Sequence, residues 1–347
     1  MNINNSQTLI SKESSTAIKG FSILLIILGH NHLLMEYADT TTSQPNLLFI
    51  QKYLYLFHVY IFFYLPFLYG FRSLSIKYLQ KLFLKLFVPY VIFLAICTIA
   101  SSIVIKLSVS PKLLFLALAT GSQVITSEAC GFAYLWFLPT MFYVLVGRDI
   151  YYNLSLLRKV FFWLFTVILQ ITQFAGLWYL LDHNPISSYG RIYLIIACGI
   201  ICRYIIKKAN SAVWLKKILL FTSGIIMLLP VIYEYYKYLI PNKLIIYIAR
   251  TLPIIVSIAA FFIIYYSKSI LSKNNLCRIF GKYSFEIYLR HIFIYQILSF
   301  SIPHGKDLGR YDIGILLYAA TVVLSFCCAL LLNKMPYIKR IIFPTSR

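Results

Sequence analysis

Three histidines sit in apolar stretches out of reach of water, and each could do acid–base or nucleophilic chemistry. In "KGFSILLIILGHNHLL" (19–34), Lys19 and His30 enclose ten residues with nothing ionisable. Eleven steps of 1.5 Å put His30 about 16 Å from Lys19, roughly halfway through a bilayer. On the same count His58, in "FHVYIFFYLPFLYG" (57–70), lies about 21 Å from Arg72, and His291, in "FGKYSFEIYLRHIFI" (280–294), about 13 Å from Lys282. All three fall near one depth. A single intramembrane histidine needs only a hydrogen bond to a neighbouring helix. Three at one level, with Glu286 and Arg290 on the span of His291, form a polar cluster costly enough in lipid that a shared functional cavity is expected. Glu286 and Arg290 are spaced i, i+4 and can also neutralise each other on one helix face. His32, His183 and His304 read as solvated loop residues.

A second set of residues could bind rather than react. In "GFRSLSIKYLQKLFLKLFVPY" (70–90), Arg72, Lys77, Lys81 and Lys85 follow at spacings of five, four and four, so the last three share a helix face. Such a face either snorkels to lipid phosphates or cradles a phosphorylated ligand. Trp136 in "YLWFLPT" (134–140) is followed by a proline near the outer end of an apolar run. It is either a belt residue beside a kink or a lid over a glycan-facing cavity, because sugars stack on indole. The seven cysteines show no CxxC and no metal-ligand spacing, so neither a disulfide framework nor a metal site is expected. Cys198 and Cys202 share a helix face and read as packing residues.

These residues need helices in lipid to hold them. The chain has 347 residues, 61% hydrophobic and 12% charged, with a mean hydropathy of +0.80. A water-soluble fold could not cover that much apolar surface. The formal charge of +22 is spread between apolar runs rather than gathered on one face, which argues against a nucleic-acid partner. Ten runs long enough to span a bilayer lie near 17–36, 47–71, 83–106, 131–148, 159–181, 190–207, 214–236, 244–267, 277–302 and 311–333. The shorter run at 111–123 reads as an interfacial or re-entrant piece. Loops on the side of the N-terminus hold 22 of the 32 Lys and Arg. Their net charge is about +20, against about +2 opposite, which places both termini in the cytoplasm. The expected fold is all-α: a polytopic integral membrane helical bundle of about ten transmembrane helices. It forms a single domain over 1–347, with no removable signal peptide and no internal repeat.

Several of these segments together resemble the acyltransferase 3 family of bacterial integral membrane acyltransferases. The stretch from Lys19 to His30 resembles that family's basic residue, ten intervening residues and histidine in the first span. "FHVYIFFYLPFLYG" is similar to its second-span segment beginning His-Met-Pro-Leu-Phe-Phe: His58, Phe62 and Phe63 are kept, Tyr60 stands for the proline, and "PF" for the usual Ser-Gly. "KLFLKLFVPY", "YLWFLPTMF" and "FGKYSFEIYLRHIFI" resemble further family segments in the same order. One departure is plain. The family commonly has two arginines three apart in the inner loop, where this chain has Lys81 and Lys85 four apart, and lysine offers phosphate a point charge without arginine's fork.

The resemblance implies transfer of an acyl group, most often acetyl from cytoplasmic acetyl-CoA, to a hydroxyl of a cell-surface polysaccharide or its lipid-linked precursor in the bacterial cytoplasmic (inner) membrane. No bound cofactor or metal is implied; acetyl-CoA is a co-substrate. Arg72, Lys77, Lys81 and Lys85 would hold the donor phosphates. Lys19 would position the donor or polarise its carbonyl. His30 would act as general base or as acyl carrier, two routes the residues leave open. His58, Trp136, Glu286, Arg290 and His291 would bind the acceptor or orient the groups that react. Two other readings fit the same residues. A transporter or flippase of a lipid-linked glycan would also need a polar midplane cavity, although no inverted repeat is visible. A non-catalytic partner in a polysaccharide machine would make the histidines dispensable.

Overall fold

The computed structural model describes residues 8–30, 45–104, 106, 108, 110–131, 133–174, 185–236, 242–300 and 311–344. Most of these residues are helical, with no strand among them. His32, His183 and His304 lie outside the described residues. Among the described residues, three helical stretches are long and apolar enough to cross a membrane: Ile76–Ile103, Val213–Glu234 and Ile315–Lys334. Two compact units can be told apart among the described residues, one within 69–201 and 332–344 and the other within 8–68 and 202–331.

The histidine-bearing unit is built around α1 (Lys12–His30). Its chain continues through α2 (Pro45–Tyr55), a turn holding His58, and α3 (Tyr60–Tyr64) with a 3-10 turn, Leu65–Leu68. Ile18, Ile23, Ile26 and Ile27 of α1 are fully buried, as an apolar helix at the centre of a bundle requires. Arg203 donates from Nη1 to the Phe67 carbonyl at 2.7 Å, and Tyr64 and Ser257 share a hydroxyl contact at 3.0 Å.

The other unit begins with α4 (Ile76–Val104) and continues through α5 (Pro111–Thr120) and α6 (Gln123–Cys130). A 3-10 turn, Ala133–Trp136, leads into α7 (Phe137–Asn153), followed by α8 (Leu156–Phe174). The short run expected to be interfacial is α5. Ser110 caps its first turn with Pro111 just inside, and Gly121, at φ +59°, ends it in the left-handed region. Along α8, Leu157, Phe161, Leu164, Phe165, Ile168 and Ile171 are all exposed. A helix that turns this much apolar surface outward is built for lipid rather than water.

The boundary between the units falls within α9 (Pro185–Ser211). Beyond it follow α10 (Val213–Ile226), α11 (Leu229–Tyr236), α12 (Asn242–Tyr266), α13 (Lys268–Lys273), α14 (Asn275–Lys282), α15 (Ser284–Phe300), α16 (Tyr311–Lys334) and α17 (Pro336–Ile342). The expected span at 277–302 is thus two helices, α14 and α15, broken at Tyr283. The expected span at 47–71 is interrupted between Tyr55 and Tyr60.

The α1–α14 crossing sets the register of the histidine-bearing unit. A Cβ added at Gly20 would lie 1.8 Å from the Cys277 carbonyl oxygen, and one at Gly281 1.8 Å from the Thr16 carbonyl oxygen. The two backbones are in direct contact, which only glycine permits at these positions. The far end of α1 is tied to the next helix, where Tyr295 of α15 donates its hydroxyl to the Ile27 carbonyl at 2.6 Å.

Candidate functional site

With α1 held at both ends, its last residue meets residues from two other elements. His30, His58 and His291 are all buried, at 3%, 0% and 0% exposure. His291 Nε2 is 3.0 Å from His30 Nδ1, and the ring centroids are 5.0 Å apart. His58 stands edge-on to His30 at 5.3 Å, with the planes at 89°. Two of the rings are anchored to main-chain carbonyls on their own segments. His58 Nδ1 donates to Leu54 at 2.8 Å, and His291 Nδ1 donates to Tyr288 at 2.6 Å. Gly29 lies against His58, so that a Cβ there would sit 3.5 Å from the ring's Cε1.

Tyr55 completes the group. Its ring packs edge-on against His30 at 5.3 Å and at 58° against His58 at 4.8 Å. At 38% exposure it is the accessible member of the cluster, so an incoming group would meet Tyr55 before the imidazoles. No sequence pattern singles out Tyr55. The available hint is its spacing of three from His58, which becomes informative only once the chain is known to turn there.

The other candidate residues are distributed as follows. Lys19 lies eleven residues back along α1, about 16 Å from His30, and so outside the imidazole cluster. Arg290 Nη1 donates to the main-chain carbonyl of Glu286 at 3.1 Å, a contact with the backbone rather than with the carboxylate. Arg72, Lys77, Lys81, Lys85 and Trp136 belong to the other compact unit. There Lys77, Lys81 and Lys85 are exposed on the first turns of α4, and the exposed Arg72 lies over the Tyr78 ring at 5.5 Å. Trp136 faces the guanidinium of Arg191 at 5.6 Å.

A buried ion pair, not anticipated from the sequence, holds that basic helix in place. Asp149 of α7 is fully buried and accepts from Arg148 Nε at 2.9 Å, from Arg148 Nη2 at 2.7 Å and from the Tyr78 hydroxyl of α4 at 2.9 Å. Asn153 Nδ2 bridges the Asp149 carbonyl at 2.7 Å and the Arg72 carbonyl at 3.3 Å. The start of α4, with its lysines, is tethered to the end of α7 through these contacts.

The apolar helices are of membrane-crossing length, and the chain also buries a group of imidazoles, a side-chain type that can take up a proton or an acyl group. Residues 13–334 match the family model described as an acyltransferase domain, Acyl_transf_3, and the chain belongs to this acyltransferase 3 family. It is a membrane acyltransferase. No curated protein and no solved structure matches it.

Proposed function

We propose that this protein transfers an acetyl group from cytoplasmic acetyl-CoA to a hydroxyl of a cell-surface polysaccharide or of its lipid-linked precursor. It would work in the bacterial inner membrane as a ten-span bundle with both termini in the cytoplasm. The observation that carries this reading is His30, a buried imidazole in nitrogen-to-nitrogen contact with His291 at 3.0 Å. Burial of three histidines together is costly, and acyl transfer between reactants from opposite sides of a membrane gives them a use.

On this reading the donor's phosphates rest on Arg72, Lys77, Lys81 and Lys85, which are all exposed. Lys19 orients the donor on its way to the histidines. The acceptor hydroxyl attacks the thioester carbonyl, forming the ester C–O bond and breaking the C–S bond, while its proton passes by way of His30 to the leaving thiolate sulfur. If His30 instead carries the acyl group, the same bonds are made and broken in two steps. His58, Glu286 and Arg290 receive or orient the acceptor, with Tyr55 at the accessible edge of the imidazole cluster, and Trp136 offers the acceptor an indole face to stack on.

The test is ester content by NMR of purified surface polysaccharide. A deletion strain is complemented with wild type or with His30→Ala at equal protein level. Ester signals restored by the wild type and absent with His30→Ala are expected. Glycan that is unacylated in both strains, with its surface amount set by the gene, would point to a transporter instead.

A further inference from the structure

The hydrogen bonds around His291 fix more than its position. A carbonyl oxygen can only accept, so His291 Nδ1, at 2.6 Å from the Tyr288 carbonyl, carries a proton. A neutral imidazole has one N–H, so Nε2 of His291 is an acceptor, and His30 Nδ1 at 3.0 Å must donate to it. From this chain of contacts we infer that His291 is a positioning residue that holds His30 as its Nδ1–H tautomer, so that the reactive lone pair of His30 is on Nε2. This deepens the reading of His30 as the group that moves a proton or an acyl group, and rests on that reading for its consequence in catalysis. It serves either route, because base and nucleophile would use the same lone pair.

The opposite order is disfavoured by the same geometry. With the proton of His30 on Nε2, its bare Nδ1 would face the bare Nε2 of His291 across 3.0 Å in a buried site, lone pair against lone pair. His291 is tied to Tyr288, and the end of α1 is tied one turn earlier by the Tyr295 hydroxyl on the Ile27 carbonyl. His58 is independently fixed as an Nδ1–H ring by the Leu54 carbonyl, and it closes the side of His30 that it faces.

During transfer the acceptor hydroxyl gives its proton to His30 Nε2 as its oxygen bonds to the acyl carbon. The resulting positive charge need not stay on one ring. The Nδ1 proton of His30 can move to His291 Nε2 while His291 keeps its own Nδ1 proton on the Tyr288 carbonyl. It returns as the Nε2 proton leaves with the thiolate sulfur. His291 thus does for His30 what a carboxylate does in a hydrolase triad, orienting the imidazole and supporting its charged form, with a neutral group where a buried anion would be expensive.

The full-length protein labelled with [15N]histidine in lipid nanodiscs tests the assignment directly, because protonated and bare ring nitrogens are resolved by 15N NMR. The expected spectrum at neutral pH shows His30 protonated at Nδ1 and bare at Nε2. A His30 ring protonated at Nε2 would overturn the assignment. Steady-state kinetics supply the second arm. His291→Leu should lower kcat about 100-fold with the donor and acceptor KM little changed. His291→Gln, whose amide oxygen can take the place of Nε2 as acceptor, should recover most of that loss. Equal losses in both folded variants would contradict the positioning role. If the proton order is seen but wild type transfers no acyl group, the assignment stands and the acyl-transfer reading of His30 falls.

Discussion

The two compact units hold their candidate site groups in different ways. In the histidine-bearing unit the site groups are buried imidazoles, held by carbonyls and by one another, the buried Arg203 is likewise held on a main-chain carbonyl, and α1 is registered through backbone contact at Gly20 and Gly281. In the other unit the charges of Lys77, Lys81 and Lys85 stay exposed, and the buried charge at the end of α7 is a closed ion pair with a tyrosine on it. The difference follows from solvation. A formal charge is inexpensive where water reaches it and costly where it does not, so chemistry placed deep in an apolar bundle favours groups that can be neutral. Binding a phosphorylated donor and reacting with it therefore call for different surroundings.

This contrast can be broken from either side, and the largest effect is expected at the ion pair. Asp149→Asn leaves the Arg148 guanidinium buried without its counter-charge. It should cost about 3–5 kcal/mol, read as a lower midpoint of thermal unfolding in detergent. An unchanged midpoint would mean that water reaches the pair. Next comes the crossing of α1 and α14. Gly20→Ala inserts a methyl 1.8 Å from a main-chain oxygen that belongs to a helix, not to a flexible side chain. The expected penalty is about 1–3 kcal/mol in stability, with activity lost because His30 no longer meets His291 in register.

Smaller effects should follow where water screens the charge. Replacing Lys81 and Lys85 together by Gln should raise the donor KM by about three- to tenfold with little change in kcat, and added salt should shrink the difference. A change confined to kcat would move these lysines from donor binding to the chemical step. The smallest effect is expected at Gly224, where an added Cβ meets nothing within 4 Å. Gly224→Ala in α10 should stabilise by about 0.5–1 kcal/mol, so glycine is required at the α1–α14 crossing and not throughout the unit.

Much of the helical layout is legible in the sequence, because apolar length and a constant rise per residue carry it. The run at 83–106 falls in Ile76–Val104 as far as residue 104, and 311–333 falls in Tyr311–Lys334. Depth counting by rise places three histidines near one level, and in the structure their rings lie together. Other features depend on tertiary contact that periodicity does not encode. Arg148 and Asp149 are adjacent, and neighbours on a helix point apart, so their pairing depends on the long arginine folding back. Gly20 and Gly281 are 261 positions apart, and nothing local says that they touch. Hydropathy also passes over the polar helix α13 and runs most of α14 into the span at 277–302, although α14 is a separate helix that provides the surface holding α1. The proton order of the histidines is invisible without the carbonyls of Leu54 and Tyr288.

The most direct test of the central claim is transfer of isotopically labelled acetyl from acetyl-CoA to glycan in inverted membrane vesicles containing wild type or His30→Ala at matched levels. Label should appear in glycan with wild type and fall at least about 100-fold with His30→Ala. Equal incorporation with both proteins would contradict a role for His30 in acyl transfer.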